Sequence, residues 1–249
     1  MNETYKVQVQ DLVDDLKAVF THAGLGGEAG EYKLLTQSFL YKFLNDKFLY
    51  QAKCLDEVNT YEHLLTLSED DYDWLLEDIG TSTAWLKPDQ LIETFHRQQN
   101  EATFYESFED TLNQIAIDNN DIFSVHTDGD TAIRLFDERL ITDTISDSSK
   151  RNEVAKAIIN LLARVKFDET IFSQGFDFFS TLFEYMIKDY NKDGGGKYAE
   201  YYTPHSVAKI IADILVGNDQ PSNVRIYDPS AGSGTLLLNL ASRIGVDKT

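Results

Sequence analysis

Two observations predict a mainly α chain whose last third opens an α/β domain. Over most of residues 1–165 apolar side chains recur at helical spacing, whereas residues 224–238, V-R-I-Y-D-P-S-A-G-S-G-T-L-L-L, read as a short β-branched strand, a glycine turn and an apolar helix. Charge divides along similar lines: residues 1–150 hold 30 acidic and 11 basic side chains, a net of −19, leaving −1 for the rest of a chain whose total is −20. The sequence therefore divides into a helical domain over 1–165 and a second domain over 166–249.

Composition narrows the function classes. With 249 residues, 42% of them apolar, the chain can bury a core. A single cysteine, Cys54, rules out an internal disulfide and suits a reducing compartment. No apolar run is long enough to cross a bilayer, and the N-terminus lacks a signal-peptide core, so a soluble, cytoplasmic protein with no membrane attachment is expected. The acidic first half repels a phosphate backbone, so this chain by itself is expected to bind nucleic acid poorly.

The elements follow in order. Val9, Leu12, Val13, Leu16, Val19 and Phe20 predict a first helix, broken by Gly24, Gly26 and Gly27, and Leu34, Leu35, Phe39, Leu40, Phe43, Leu44 and Phe48 predict a longer second one. Ser68 with Asp71 three residues on starts a helix through Trp74, Leu75 and Leu76 that Gly80 ends. Pro88 begins the next, with Leu91, Ile92 and Phe95 inward, and residues 101–117 carry Phe104, Phe108, Leu112 and Ile115 in step. Residues 118–150 are polar, with T-D-G-D at Thr127 to Asp130, and fit either a loop with short helices or a hairpin in which Ile133, Leu135, Phe136, Leu140 and Ile141 supply the buried side chains. Two further helices run through Val154, Ile158, Leu161, Leu162 and Val165, and through Phe176, Phe179, Leu182, Phe183, Met186 and Ile187. The acidic runs Glu69 to Asp73 and Phe108 to Asp110 read as solvated helix faces, and the five histidines fall in no metal-ligand spacing.

A glycine-rich join, N-K-D-G-G-G at Asn191 to Gly196, leads into E-Y-Y-T-P at Glu200 to Pro204. Thr203 is expected to cap a helix begun by Pro204, whose missing N–H costs nothing at the first helical position. That helix carries Val207, Ile210, Ile211, Ile214 and Leu215 on one face and stops at Gly217. Its N-terminus suits a carboxylate. The strand then ends at Asp228, Gly232 and Gly234 permit a tight turn close to a ligand, and a helix starts near Thr235.

Asp228 decides the ligand class. A pyrophosphate would be repelled by a carboxylate at the strand end, whereas the ammonium and sulfonium of S-adenosylmethionine would be attracted to it. A dinucleotide fingerprint needs a third glycine where Leu237 stands, and a P-loop needs a lysine where Gly234 stands.

E-Y-Y-T-P followed by D-P-S-A-G-S-G-T-L resembles the N6-adenine DNA methyltransferases, specifically the modification subunit (HsdM) of type I restriction-modification systems. The resemblance implies a Rossmann-like S-adenosylmethionine-dependent methyltransferase domain after the helical one. It also implies that Glu200, Tyr201, Tyr202, Thr203, Pro204 and His205 line the methionine side, that Asp228 meets the amino group, and that Ser230, Ala231 and Gly232, with Gly234 behind them, form the turn. Ala199 stands where many relatives have glycine. Partners implied are a specificity subunit, a restriction subunit and double-stranded DNA. The family's catalytic segment, Asn or Asp followed by Pro-Pro and an aromatic residue, has no counterpart among Pro88, Pro204, Pro221 and Pro229, and the seven-strand sheet has only its first strand here. A truncated domain without catalytic residues is therefore expected. The competing expectation is an assembly and DNA-clamping module that docks a specificity subunit without catalysis. A Rossmann-type oxidoreductase is disfavoured by Leu237 and Asp228.

Overall fold

The computed structural model of the chain describes residues 3–27, 29–55, 61–123, 134–172, 203–219, 221–231 and 234–245. Two compact units divide it, Met1–Gln174 and Gly175–Thr249. The seam lies a few residues beyond 166 because Phe167 and Ile171 are buried and Phe172 packs edge-on against Phe43, at 5.6 Å between centroids, all within the first unit.

In the first unit, α1 (Glu3–Ala23) buries Val9, Leu12, Val13, Leu16 and Phe20, every third or fourth residue, as an amphipathic helix must. It ends where the periodicity does. Gly24, at φ 100°, lets its own N–H reach Thr21 O at 3.0 Å and that of Leu25 reach Phe20 O at 2.9 Å, which satisfies two terminal carbonyls at once. Helix α2 (Ala29–Cys54) is enclosed on several sides: besides Leu34, Leu35, Phe39, Leu44 and Phe48 it buries Glu31, Lys42, Asn45 and Asp46.

These polar groups are spent on neighbouring backbone. The Lys42 ammonium meets both Asp46 oxygens at 2.9 and 2.8 Å, Asp46 Oδ2 also accepts from the Phe167 N–H at 2.7 Å, and Asn45 Oδ1 accepts from the Ile92 N–H at 3.0 Å. Burial lowers the Lys42 pKa below its ordinary value, even with Asp46 favouring the charge. One helical turn thereby holds segments 47 and 121 residues away.

Short pieces complete the unit: α3 (Tyr61–Leu64), α4 (Glu69–Ile79), a 3₁₀ turn at Pro88–Gln90, α5 (Ile92–Arg97), α6 (Phe104–Asp118), α7 (Asn120–Phe123), α8 (Leu140–Thr144), α9 (Arg151–Arg164) and α10 (Glu169–Phe172). The Ser68 hydroxyl accepts from the Asp71 N–H at 3.2 Å and Gly80 closes α4 at φ 58°, as the sequence indicates, with Tyr72 and Ile79 buried and Trp74 67% exposed. Pro88 starts the 3₁₀ turn, one step ahead of α5, and Leu91, Ile92 and Phe95 face inward. Phe104, Phe108, Leu112 and Ile115 are all buried in α6. Helix α9 packs against α1, α5 and α6.

Between α6 and α9 the described residues form short helices and turns, with Phe136, Leu140 and Ile141 buried; Thr127 to Asp130 and Ile133 lie outside them. Glu109 departs from its expected solvated position. It is buried and accepts from the Thr142 N–H at 2.6 Å and hydroxyl at 2.8 Å, supplying an acceptor to the first turn of α8. The other acidic run, Glu69 to Asp71 and Asp73, is exposed.

The second unit contributes α11 (His205–Val216) and α12 (Thr235–Ile244), which pack on one another. The expected helix through Phe176 and Ile187, and the Asn191 to Gly196 join, lie outside the described residues. No strand occurs among the described residues: 224–228 is irregular rather than the strand expected, since a β ladder needs a second strand and the described residues contain none. The mainly α prediction holds. Nor is any described helix long and apolar enough to cross a membrane.

Candidate cofactor site

Asp228 closes the irregular segment and starts the turn. Its Oδ1 accepts from the Ser230 N–H at 2.9 Å, an Asx turn that fixes the carboxylate against its own backbone. Its Oδ2 is buried and has no hydrogen-bond partner among the described residues. A buried carboxylate oxygen left in this state favours a cationic or N–H donor ligand, because an unmatched acceptor costs about 1–3 kcal/mol. The turn continues with the Gly234 N–H donating to Ala231 O at 2.7 Å, and Gly234 takes φ 75°, ψ 7°, a left-handed conformation that disfavours side chains. Helix α12 begins at Thr235, as the sequence indicates.

The Y-T-P segment enters differently from expectation. Helix α11 begins at His205 and Pro204 is its N-cap, because Pro204 holds an extended ψ of 136°. The Pro204 carbonyl accepts from the N–H groups of Val207 at 2.9 Å and Ala208 at 3.1 Å, and no side chain caps the helix, so Thr203 does not perform that role. Gly217 closes α11 at φ 56°, as expected.

Two sets of polar contacts fix how α11 and α12 lie. At one end the Asn239 amide stands 3.3 Å from His205 Nδ1, and at the other the Arg243 guanidinium donates to Asp213 Oδ1 at 2.8 Å and to Gly217 O at 3.0 Å. The helices therefore run parallel, with both N-termini at the same end. Their dipoles place partial positive charge there, worth about 0.5 of a charge each. Helix α11 buries Ala208, Ala212 and Val216. The face bearing Val207, Ile210, Ile211, Ile214 and Leu215 is exposed.

Of the residues expected in the site, Asp228 and Ser230 are joined by hydrogen bonding, Ala231 and Gly234 by the turn, and His205 to α12 through Asn239. Glu200, Tyr201, Tyr202 and Gly232 lie outside the described residues. No hydrogen bond joins Thr203, Pro204 or His205 to Asp228 among the described residues. Asn239 is the addition. Its signal in the sequence is one amide inside the run L-L-L-N-L-A, four residues after Thr235. Among the described residues no cluster of three or more potential metal ligands occurs.

The chain is similar to several known proteins. Residues 174–249 match the family model described as N-6 DNA Methylase. The chain is 23% identical over 253 residues to the type I restriction enzyme MpnII methylase subunit of Mycoplasma pneumoniae, covering 97% of this chain and 45% of that protein. It is 25% identical over 128 residues to the type I restriction enzyme MjaIX methylase subunit of Methanocaldococcus jannaschii, covering 47% of this chain and 22% of the relative. Its fold is similar, at a TM-score of 0.63 and 22% identity, to the crystal structure of the type I restriction-modification system methyltransferase subunit from Streptococcus thermophilus, over 94% of this chain and 50% of the other. The chain thus spans half or less of the length of each of these proteins.

Proposed function

We propose, from the premise that this chain is an HsdM-like relative of the N6-adenine DNA methyltransferases, that it supplies the helical domain and the donor-binding start of a type I modification subunit. The single observation that carries the reading is the Asp228 carboxylate, with one oxygen held by Ser230 and the other buried without a partner. A zwitterionic amino-acid group suits such a place: the carboxylate of Asp228 takes an ammonium, while the paired N-termini of α11 and α12 favour an anion. That is the methionine end of S-adenosylmethionine. When bound, it supplies an electrophilic methyl group.

The roles of the residues follow. Asp228 holds the amino group, Ser230, Ala231, Gly232 and Gly234 keep the turn close against the ligand, and Glu200 to His205 line its methionine side. Residues 166–249 open a Rossmann-like domain. The five exposed aliphatic side chains of α11 support this, since such a stripe is what a covering sheet buries. In the whole protein the acceptor is the exocyclic N6 of adenine in DNA, flipped out and held by the Pro-Pro segment that this sequence lacks. The specificity and restriction subunits complete the assembly, in the cytoplasm.

Titration with S-adenosylmethionine by calorimetry tests the site. Weak binding is expected, since the seats described here reach only the amino-acid end, and Asp228→Ala should abolish it. Binding that survives Asp228→Ala would remove the basis of the reading. Labelled S-adenosylmethionine and duplex DNA should leave the DNA unlabelled with this chain alone, because the Pro-Pro segment that would orient the acceptor does not occur in this sequence.

A further inference from the structure

Asn239 sits inside an otherwise apolar stretch of α12, and only 9% of it is exposed. Its side-chain nitrogen donates to the Thr235 carbonyl at 2.8 Å and lies 3.3 Å from His205 Nδ1. The first contact settles the orientation of the amide. A carbonyl oxygen can only accept, so the atom facing it is the amide nitrogen and the amide oxygen points elsewhere. The same nitrogen, a donor only, faces the ring. His205 Nδ1 must then be the acceptor, and the proton of the neutral imidazole resides on Nε2.

We propose that Asn239 is a positioning residue: it selects the tautomer of His205 that presents Nε2–H as a donor at the head of α11, toward the carboxylate of an amino-acid ligand. The ligand half of this rests on the cofactor site proposed above. Chemically, an Nε2–H donor and the N-termini of two parallel helices form one anion-accepting end, opposite in character to Asp228. Any other rotamer of Asn239 loses either the Thr235 bond or the ring, and a buried amide without partners costs about 1–3 kcal/mol.

The test is nitrogen NMR of the full chain labelled at histidine, with His205→Gln identifying the signal among the five histidines. At a pH where the ring is neutral, His205 should show an unprotonated Nδ1 and a protonated Nε2. Asn239→Leu should remove this preference, and Asn239→Asp, which places an acceptor opposite Nδ1, should move the proton there. A proton on Nδ1 in the unmodified chain overturns the proposal even if both variants fail to fold, and so does an unchanged tautomer in a folded Asn239→Leu. A second arm adds S-adenosylmethionine or methionine methyl ester, which keeps the ammonium but lacks a free carboxylate, and follows shifts across the same spectra. Asn239→Leu should weaken the first about tenfold, the loss of one charge-assisted hydrogen bond, and leave the second unchanged. Equal weakening of both contradicts a role toward the carboxylate. If the unmodified chain binds neither, the cofactor reading fails, while the tautomer alone decides the role of Asn239.

Discussion

Asn119 shows how much a single buried amide can hold. Its Oδ1 accepts from the Trp85 N–H at 2.6 Å, and its Nδ2 donates to the carbonyls of Trp85 at 2.8 Å and Ile115 at 2.9 Å, closing α6 and fixing the loop ahead of the 3₁₀ turn. Asn119→Ala leaves those backbone groups unmatched, and urea unfolding should show a loss of about 2 kcal/mol or more. Asp118 beside it carries a pH signature. Partial burial raises its pKa, but hydrogen bonds from Gln114, Lys87 and Gln90 outweigh this and hold it below the ordinary carboxylate value. A lowered native pKa contributes stability that is present above the unfolded value, near about 3.9, and is lost as pH falls through the native one. Asp118→Asn should therefore flatten the acid limb of a stability–pH curve below about pH 4, with little change in its shape above neutrality.

At the scale of elements, α2 divides what the sequence discloses from what it does not. Its apolar residues announce a helix, because burial of Leu34, Phe39 and Phe48 imposes a period that any reader can count. Lys42 and Asp46, four apart, look like an exposed surface pair, yet both are buried. Only the contact of Asp46 with residue 167 reveals the reason, and such a long-range pairing leaves no local trace. The same holds for the site. Asp228, Gly234 and the start of α12 are legible because a turn of this kind needs those residue types in that order, whereas the true start of α11 depends on the ψ of Pro204. The role of Asn239 depends on a partner 34 residues away. For α2 itself, Lys42→Met alone should destabilise by about 3–5 kcal/mol by stranding the Asp46 charge. Lys42→Met with Asp46→Leu removes that charge but leaves the Phe167 N–H without its acceptor, so the double variant should recover only part of the loss in chemical denaturation.

For the whole molecule, charge sets the expected behaviour toward DNA. With a net charge of −20, most of it in the first 150 residues, the chain should fail to retard duplex DNA in a gel at submicromolar concentration near physiological salt. Retardation with steep salt dependence would reveal a cationic surface that the net charge conceals. The division into units predicts that residues 1–174 expressed alone keep a helix-dominated circular dichroism spectrum, and a β-dominated spectrum would contradict the fold described here.

The reach of Asp46 also bears on how the protein is made. Its carboxylate accepts from the N–H of Phe167, 121 residues further along the chain. At ribosomal speeds of 5–20 residues per second, that donor is synthesised about 6–24 s after the acceptor. A newly made α2 must meanwhile keep its charged turn in contact with water or with a chaperone. Closure of the first unit is thus timed by the emergence of Phe167.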